Sequence, residues 1–240
     1  MTASDTTAAT VETRPTVAAR SAGVGVHLPV TVGRYIVEAI GTLFLVFTVG
    51  ASVRSGSMLA PLAIGAVLMA MIYAGGHISG AHYNPAVTVA ALVRGRIDTR
   101  QAIGYWIAQF VGGLIGAGAV LAVVPAGQTA ATGLSGHALM AAFVAELLFT
   151  FVLCYVVLNV ATSKDHPDNS FYGLAIGFTV AAGAVAVGGV SGAAFNPAVM
   201  LGGAAMGLFT LPMLPVYFTA QIIAGVAAGL AFRALNPDDK

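Results

Sequence analysis

The sequence predicts an all-α polytopic membrane protein with six transmembrane helices and two re-entrant half-helices, arranged as an inverted repeat. Three observations lead to this fold: the composition, the spacing of the charged residues and an internal repeat. Of the 240 residues, 58% are hydrophobic and 8% are charged, and the mean hydropathy is +0.90. Soluble domains carry roughly 25% charged residues, so a soluble enzyme is excluded. The net charge of +1 also offers no broad basic face for nucleic acid.

The charged residues divide the chain into membrane-sized segments. Residues 55–93 and 169–232 contain no Asp, Glu, Lys or Arg, whereas one span needs roughly 20 residues. The first stretch is slightly short for two spans, and the second holds two spans and about half of a third. The predicted spans lie near residues 33–53, 58–76, 101–124, 137–161, 171–189 and 212–232, and the half-spans near 84–93 and 196–206.

The distribution of Lys and Arg predicts the orientation. Six spans place both termini on one side of the membrane with nine of the ten Lys and Arg residues, and only Arg54 falls on the other side. Because cytoplasmic loops carry the excess of Lys and Arg, both termini are expected in the cytoplasm, and the protein in the plasma membrane. Residues 1–30 are expected to form a disordered cytoplasmic tail, and residues 234–240 a short cytoplasmic tail.

An internal repeat relates two halves of the chain, residues 31–133 and residues 134–233. The segment 79–87 recurs 112 positions later as 191–199, and two further matches share that offset. Each half contains three predicted spans, an odd number, so the second half must insert upside down relative to the first. Inverted repeats place the functional site near the bilayer midplane, at the interface between the halves.

Each half contains the tripeptide Asn-Pro-Ala, as Asn84, Pro85 and Ala86 in the first and as Asn196, Pro197 and Ala198 in the second. Asn is a preferred helix N-cap and Pro suits the first helical position, so each tripeptide is expected to begin a half-helix inside the membrane. The glycine-rich segments before them, from Gly75 and from Gly188, are expected to be irregular backbone that lines a cavity or is buried in protein.

The two half-helices predict a path for neutral solutes. Inverted symmetry brings Asn84 and Asn196 together, so the positive ends of both helix dipoles point at one midplane position. A cation or proton meets two positive fields there, whereas a neutral molecule does not. Because the Asn side-chain oxygens are used in capping, the amide N–H groups are expected to donate to a passing solute, as in a channel for small uncharged polar molecules.

These features resemble the aquaporin, or major intrinsic protein, family over about residues 33–233. The resemblance rests on both Asn-Pro-Ala boxes, on the segment Gly76-His77-Ile78-Ser79-Gly80 and on polar residues that are paired between the two halves. It implies one pore per protomer, a homotetramer in the lipid bilayer, and water and small neutral solutes as partners. No cofactor or metal is expected, and no residue spacing suggests catalysis.

The paired polar residues admit two interpretations. Glu38 and Glu146 lie within predicted spans, where an unpaired carboxylate costs roughly 3 kcal/mol or more, so they could serve as proton relays. We favour a structural role, in which each carboxylate accepts backbone N–H groups of a re-entrant loop. Gln109 and Gln221 are interpreted in the same way, as side chains that hold these loops.

The predicted constriction departs from the family pattern. Most water-selective and glycerol-conducting members carry Arg directly after the second box, where this chain has Val199. Counted back from the boxes, the other constriction positions of the family fall on Ile64, Ala184 and Ala193. This constriction has no charge and no side-chain hydrogen-bond donor, and it lacks bulk at three of its four positions. Neither common subclass matches it.

Three functions remain open at this point. The preferred one is a passive channel for water and small neutral solutes, such as ammonia, hydrogen peroxide and glycerol-like polyols, that excludes ions and protons. The alternative is an ion- or proton-coupled secondary transporter, since inverted repeats also occur there. The third is a nonconducting scaffold, whose pore bulky residues would close. Gly76 and His77 are expected in the pore wall, where His77 presents carbonyls or responds to pH.

Overall fold

The computed structural model describes residues 28–125 and 131–239, and these residues form six long helices and two short ones. The helices are α1 (Val30–Arg54), α2 (Ala60–Ser79), α3 (Pro85–Arg94), α4 (Thr99–Val123), α5 (Gly136–Thr162), α6 (Tyr172–Ser191), α7 (Pro197–Ala205) and α8 (Leu214–Leu235). The six long helices are apolar enough to cross a membrane, whereas α3 and α7 contain ten and nine residues. The predicted fold class is therefore confirmed.

The predicted tails and the described residues overlap only in part. Positions 1–27 of the predicted N-terminal tail lie outside the described residues, and α1 begins at Val30. Residues 126–130, close to the predicted boundary between the halves, also lie outside them. At the other end of the chain, α8 continues to Leu235 and so includes the first part of the predicted C-terminal tail.

The two halves of the chain interlock. The half-helix α3 of the first half packs against α8 of the second, and α7 of the second half packs against α4 and α1 of the first. Helices α2 and α6 pack against each other across the boundary between the halves. Each half-helix is thus held in place largely by the half to which it does not belong.

Glycine allows the close approach of α2 and α6. Gly65 of α2 and Gly177 of α6 face each other, and a Cβ atom on either one would lie 2.5 Å from the carbonyl oxygen of the other. Such a separation is far below van der Waals contact, so neither position accommodates a side chain without moving the helices apart. Small residues at helix crossings are the usual means of tight packing in membranes.

Both half-helices begin at the prolines, as the sequence predicts. The Oδ1 atom of Asn84 accepts a hydrogen bond from the Ala86 backbone N–H at 2.8 Å. The Oδ1 atom of Asn196 accepts from the Ala198 N–H, also at 2.8 Å. The asparagines therefore act as N-caps that satisfy backbone donors which the first turn of a helix leaves unpaired.

Helices α2 and α6 extend further toward the half-helices than the sequence indicated. Gly75 lies within α2 and Gly188 within α6, so the prediction of irregular backbone from these two glycines is wrong. The helices end instead at Gly80 and Gly192, whose φ angles of 84° and 80° are left-handed. Glycine adopts that conformation without a Cβ clash and terminates a helix there, which leaves only the short connections to the asparagines irregular.

One end of the helix bundle carries most of its basic side chains. Arg34 and Arg96 line a cavity there together with the connection between α5 and α6, and Lys164 lies in that connection. We refer to this end as the basic end. The C-terminal ends of α2 and α3 lie at the basic end, since residues that follow or close these helices line the same cavity.

The last described residues fold back against the basic end. Arg94, at the end of α3, forms an ion pair with Asp239 at 2.6 Å, and the two side chains are 1% and 3% exposed. The Lys164 backbone N–H donates to the same carboxylate at 2.9 Å, and the Arg94 guanidinium lies 4.4 Å from the centre of the Phe232 ring. The chain end is therefore a clamp that joins α3, α8 and the α5–α6 connection.

Ionisation of Asp239 stabilises this clamp. Burial opposes the charged form, but hydrogen bonds from the Lys164 N–H and from Arg94 outweigh it and hold the pKa of the Asp239 carboxyl below its usual value. Because the folded-state pKa lies below the unfolded value of about 3.9, the stabilisation is complete above that pH. It disappears as the pH falls through the folded-state pKa.

We expect Asp239→Asn to destabilise the detergent-solubilised protein by about 2 kcal/mol at pH 7, because Arg94 loses its ion pair within a buried site. The difference in thermal unfolding from the unmodified protein should stay constant between about pH 8 and pH 5 and shrink below about pH 4. Asp238→Asn is the matched control, since Asp238 contributes only its backbone carbonyl, to the Lys164 ammonium. Equal unfolding temperatures for the two variants would contradict the clamp.

Candidate functional site

A buried carboxylate organises the connection that leads into the first half-helix. Glu38 of α1 is fully buried. Its Oε1 atom accepts hydrogen bonds from the Ser79 hydroxyl at 2.7 Å and the His82 N–H at 2.9 Å. Its Oε2 atom accepts from the Tyr83 N–H at 2.7 Å and from the Gln109 amide at 2.9 Å. Four donors thus surround the carboxylate, two of them backbone groups of the re-entrant connection.

The second half repeats this arrangement. Glu146 of α5 accepts from the Ser191 hydroxyl at 2.7 Å, the Ala194 N–H at 2.9 Å, the Phe195 N–H at 2.7 Å and the Gln221 amide at 2.8 Å. Among the described residues neither glutamate forms an ion pair. These contacts supply the backbone and glutamine donors that the structural interpretation of both carboxylates requires, and every carboxylate oxygen is engaged.

The carboxylates stabilise a strained backbone. Ala81 and Tyr83 have φ angles of 52° and 49°, and their repeat counterparts Ala193 and Phe195 have φ angles of 52° and 46°. Residues with side chains seldom adopt such left-handed values, and each costs on the order of 1–3 kcal/mol. The hydrogen bonds to the glutamates offset that strain and turn the backbone toward the start of each half-helix.

The two capping asparagines meet at the junction of the half-helices. The Nδ2 atom of Asn84 donates to the Phe195 carbonyl at 2.8 Å, and the Nδ2 atom of Asn196 donates to the Tyr83 carbonyl at 2.8 Å. Each amide has two hydrogens, so one of them is occupied by the opposite connection. This differs from the expectation that both are available, and it leaves one donor per asparagine for a solute.

A narrow, mainly apolar cavity runs past both asparagines. Its volume, measured as the space open to the centre of a water molecule, is about 30 Å³. Since one water needs roughly 10–15 Å³ by that measure, the cavity has room for about two or three waters. Ile64 and Leu68 of α2 line it at a spacing of four residues, as do Ile176 and Val180 of α6, so one face of each helix forms its wall.

Three of the four predicted constriction residues line this cavity. Ile64, Ala193 and Val199 contribute to its wall, whereas Ala184 does not. Val180, one turn away on α6, lines the cavity on that side. The residue that lines this side of the cavity is thus the valine and not the shorter alanine.

A wider cavity of about 510 Å³ lies at the basic end, and His82 and Val157 line both this cavity and the narrow one. Gly76 and His77 lie in its wall, so the structure places them at the mouth rather than in the narrow passage. Arg34 also lines this mouth. The narrow cavity therefore adjoins a wider, more polar vestibule.

His82 is a polar residue in the wall of the narrow cavity that was not predicted from the sequence. The Nδ1 atom of His82 lies 3.0 Å from the Thr88 hydroxyl, which also accepts from the Gln109 amide at 2.9 Å. The repeat counterparts of His82 and Thr88 are Ala194 and Met200. A polar pair that breaks an otherwise faithful repeat was the signal that could have identified these residues.

Comparison with known proteins agrees with this architecture. A sequence model described as major intrinsic protein matches residues 26–232. The chain belongs to the major intrinsic protein family. An aquaglyceroporin from Plasmodium falciparum has a similar fold, with a TM-score of 0.69 and 23% identity over 86% of this chain and 95% of that one.

Curated relatives come from bacteria and plants. A protein of Lactiplantibacillus plantarum named glycerol uptake facilitator protein-like 6 is 38% identical over 86% of this chain and 99% of its own length. Aquaporin TIP1-1 of Arabidopsis thaliana is 39% identical over 77% of this chain and 74% of its own length. A Zea mays protein named aquaporin NIP1-1 is 34% identical over 86% of this chain and 76% of its own length.

Family membership decides between the open functions. The chain is an integral membrane protein and a passive channel for water and small solutes. The ion-coupled transporter is not favoured. In addition, the two ionisable groups on which a transporter mechanism would depend, Glu38 and Glu146, have every carboxylate oxygen occupied by the re-entrant connections.

We expect Glu146→Gln to lower the amount of folded protein in the membrane and to destabilise the purified protein by about 3 kcal/mol. The glutamine presents an amide N–H₂ where backbone N–H groups donate, so at least two hydrogen bonds to a charged acceptor are lost. Thermal unfolding and membrane abundance measure the effect. Asp168→Asn, which changes an exposed carboxylate, is the control. A Glu146→Gln protein of normal abundance that loses an ion-driven flux would instead support a transporter.

Proposed function

We propose that the channel conducts water at a modest rate together with other small neutral solutes, namely ammonia, hydrogen peroxide or small polyols, and excludes ions and protons. The observation that carries this proposal is the cavity shared by Asn84 and Asn196, whose wall away from the basic end contains Ile64, Ala193 and Val199. That section offers a solute no charge and no side-chain donor.

Val199 is central to the expected selectivity. An arginine at that position would narrow the passage and donate hydrogen bonds to water, whereas valine does neither. Water that crosses an apolar section gives up hydrogen bonds without replacement, so its rate is limited there. Larger and less polar neutral molecules lose less and meet a smaller steric barrier. The name of the Lactiplantibacillus plantarum relative is compatible with a polyol among these solutes.

Two features support the exclusion of ions. The N-termini of α3 and α7 meet at the asparagines, so both helix dipoles present their positive ends to a cation. The apolar wall also provides no ligands that could replace the hydration shell of an ion. The buried carboxylates do not offset these effects, because their oxygens bind the re-entrant connections.

The proposed setting follows from the charge distribution and the family. We place the basic end in the cytoplasm of the cell, where the positive-inside rule puts an excess of Lys and Arg, and the protein in the plasma membrane. We propose a homotetramer with one pore in each protomer. The large apolar side chains that α4 exposes, among them Ile107 and Ile115, suit contact with lipid or with a neighbouring subunit.

Flux measurements on proteoliposomes test the proposed function. Stopped-flow experiments with water, glycerol, urea, ammonia and hydrogen peroxide should show flux of water and of at least one larger solute, independent of any ion gradient. Flux that requires an ion or proton gradient would overturn the proposal. Strict water selectivity would show that the assignment of the constriction is wrong.

We expect Val199→Arg to shift the channel toward water, since the arginine narrows the section and adds donors. The flux of polyols should fall by roughly tenfold or more, the lower end of the discrimination that one methylene provides in an apolar pocket, whereas water flux should fall less or rise. Val199→Leu is the control for added bulk without charge. If both variants changed the ratio of polyol to water flux equally, size alone would account for the selectivity of this section.

A further inference from the structure

The inverted repeat gives the pore two related sections rather than one. Each predicted constriction position has a counterpart 112 residues away, on the other side of the asparagines. We call the set near the basic end the basic-end ring and the other set the far-end ring. The basic-end ring consists of Ile72, Ala81, Val87 and Ile176, and the far-end ring of Ile64, Ala184, Ala193 and Val199.

The two rings lie well apart along the pore. Ile64 and Ile72 are both on α2, eight residues apart, which corresponds to about 12 Å along a helix. The α2 residues that follow Ile72, from His77 to Ser79, line the vestibule of the basic end. A solute that crosses the membrane therefore passes the far-end ring, the asparagines and the basic-end ring in turn.

The basic-end ring is the more closed of the two. All four of its members line the narrow cavity, yet the exposed fractions are only 2% for Ile72, 6% for Ala81, 2% for Val87 and 4% for Ile176. In the far-end ring only Val199 is as deeply buried, at 4%. Ile64, Ala184 and Ala193 are partly exposed, so the residues of the far-end ring are packed less tightly than those of the basic-end ring.

The two rings differ from each other at a single position. The rings have identical residue types at three positions and differ at the fourth, where Ile72 corresponds to Ala184. Ile72 extends into the passage, whereas Ala184 does not line it. Within the rings the difference in bulk comes from this pair, because the alanine, valine and isoleucine that complete each ring are common to both.

We propose that the basic-end ring, and Ile72 in particular, sets the upper size limit for the neutral solutes that the channel conducts. This inference rests on the proposed function, since it concerns the selectivity of the same pore. The far-end ring, where the family pattern places the constriction, then acts as a wide and apolar entrance. The narrowest section of the pore lies between the asparagines and the basic end, and Ile72 of α2 provides its bulky side chain.

Exchange of the differing pair tests the proposal. Ile72→Ala should raise the ratio of glycerol to water flux in proteoliposomes by about tenfold, the lower end of the discrimination that one methylene provides in an apolar pocket. Ile64→Ala removes the same atoms from the far-end ring of the same helix and is the matched comparison, which should change the ratio less than Ile72→Ala does. Ile72→Val, which removes one carbon, should give an intermediate ratio and keeps the test valid if the alanine variant folds poorly.

The reciprocal substitution, Ala184→Ile, provides an independent test. Ala184→Ile should create a second closed ring, so this single variant should conduct less glycerol than the unmodified protein. The double variant with Ile72→Ala and Ala184→Ile should likewise conduct less glycerol than Ile72→Ala alone. A larger effect of Ile64→Ala than of Ile72→Ala would overturn the inference and place the size limit at the far-end ring. Absence of any neutral flux in the unmodified protein would instead overturn the proposed function, so the two failures are distinguishable.

Discussion

The hydrogen bonds between two buried carboxylates and the backbone of two re-entrant connections are the interaction on which the rest of this structure depends. They hold Tyr83 and Phe195 in left-handed conformations, and so direct the backbone to the point where the two half-helices start side by side. Glu38 and Glu146 have no cationic partner among the described residues. Backbone N–H groups therefore replace the solvent that a carboxylate requires, and the same contact satisfies backbone donors that lipid cannot satisfy.

The inverted repeat explains the shape of the pore, and its departures from symmetry explain why the two ends differ. Asn84 and Asn196 exchange equivalent hydrogen bonds with the opposite connection, so neither half forms its side of the junction alone. Away from the junction the halves diverge. His82 and Thr88 give the first half a polar pair that the second half replaces with apolar residues, which makes one wall of the passage chemically distinct.

Much of this architecture was predictable from the sequence, because the strongest constraints are local or repeated. An asparagine before a proline in an uncharged segment indicates a helix start, and a carboxylate within a span requires donors nearby. Which side chains line the pore could not be predicted in the same way. Ala184 occupies a position that the family uses for its constriction. Whether a residue at that position lines the cavity depends on side-chain length and on the placement of the helix, and in this structure Val180 lines the cavity instead. The extended ends of α2 and α6 depend on the left-handed Gly80 and Gly192, which composition alone does not reveal.

The clamp at the chain end has a consequence for the order of events during biosynthesis. Arg94 and Asp239 are 145 residues apart in sequence, and the helix that Arg94 ends also packs against α8. The first half-helix is therefore made well before two of its neighbours, α8 and Asp239. Until these later residues are made, the Arg94 guanidinium has neither its carboxylate partner nor the Phe232 ring beside it. A nascent chain that has not yet reached Asp239 lacks the ion-pair partner of Arg94, so one end of the first half-helix is completed only by residues that are synthesised much later.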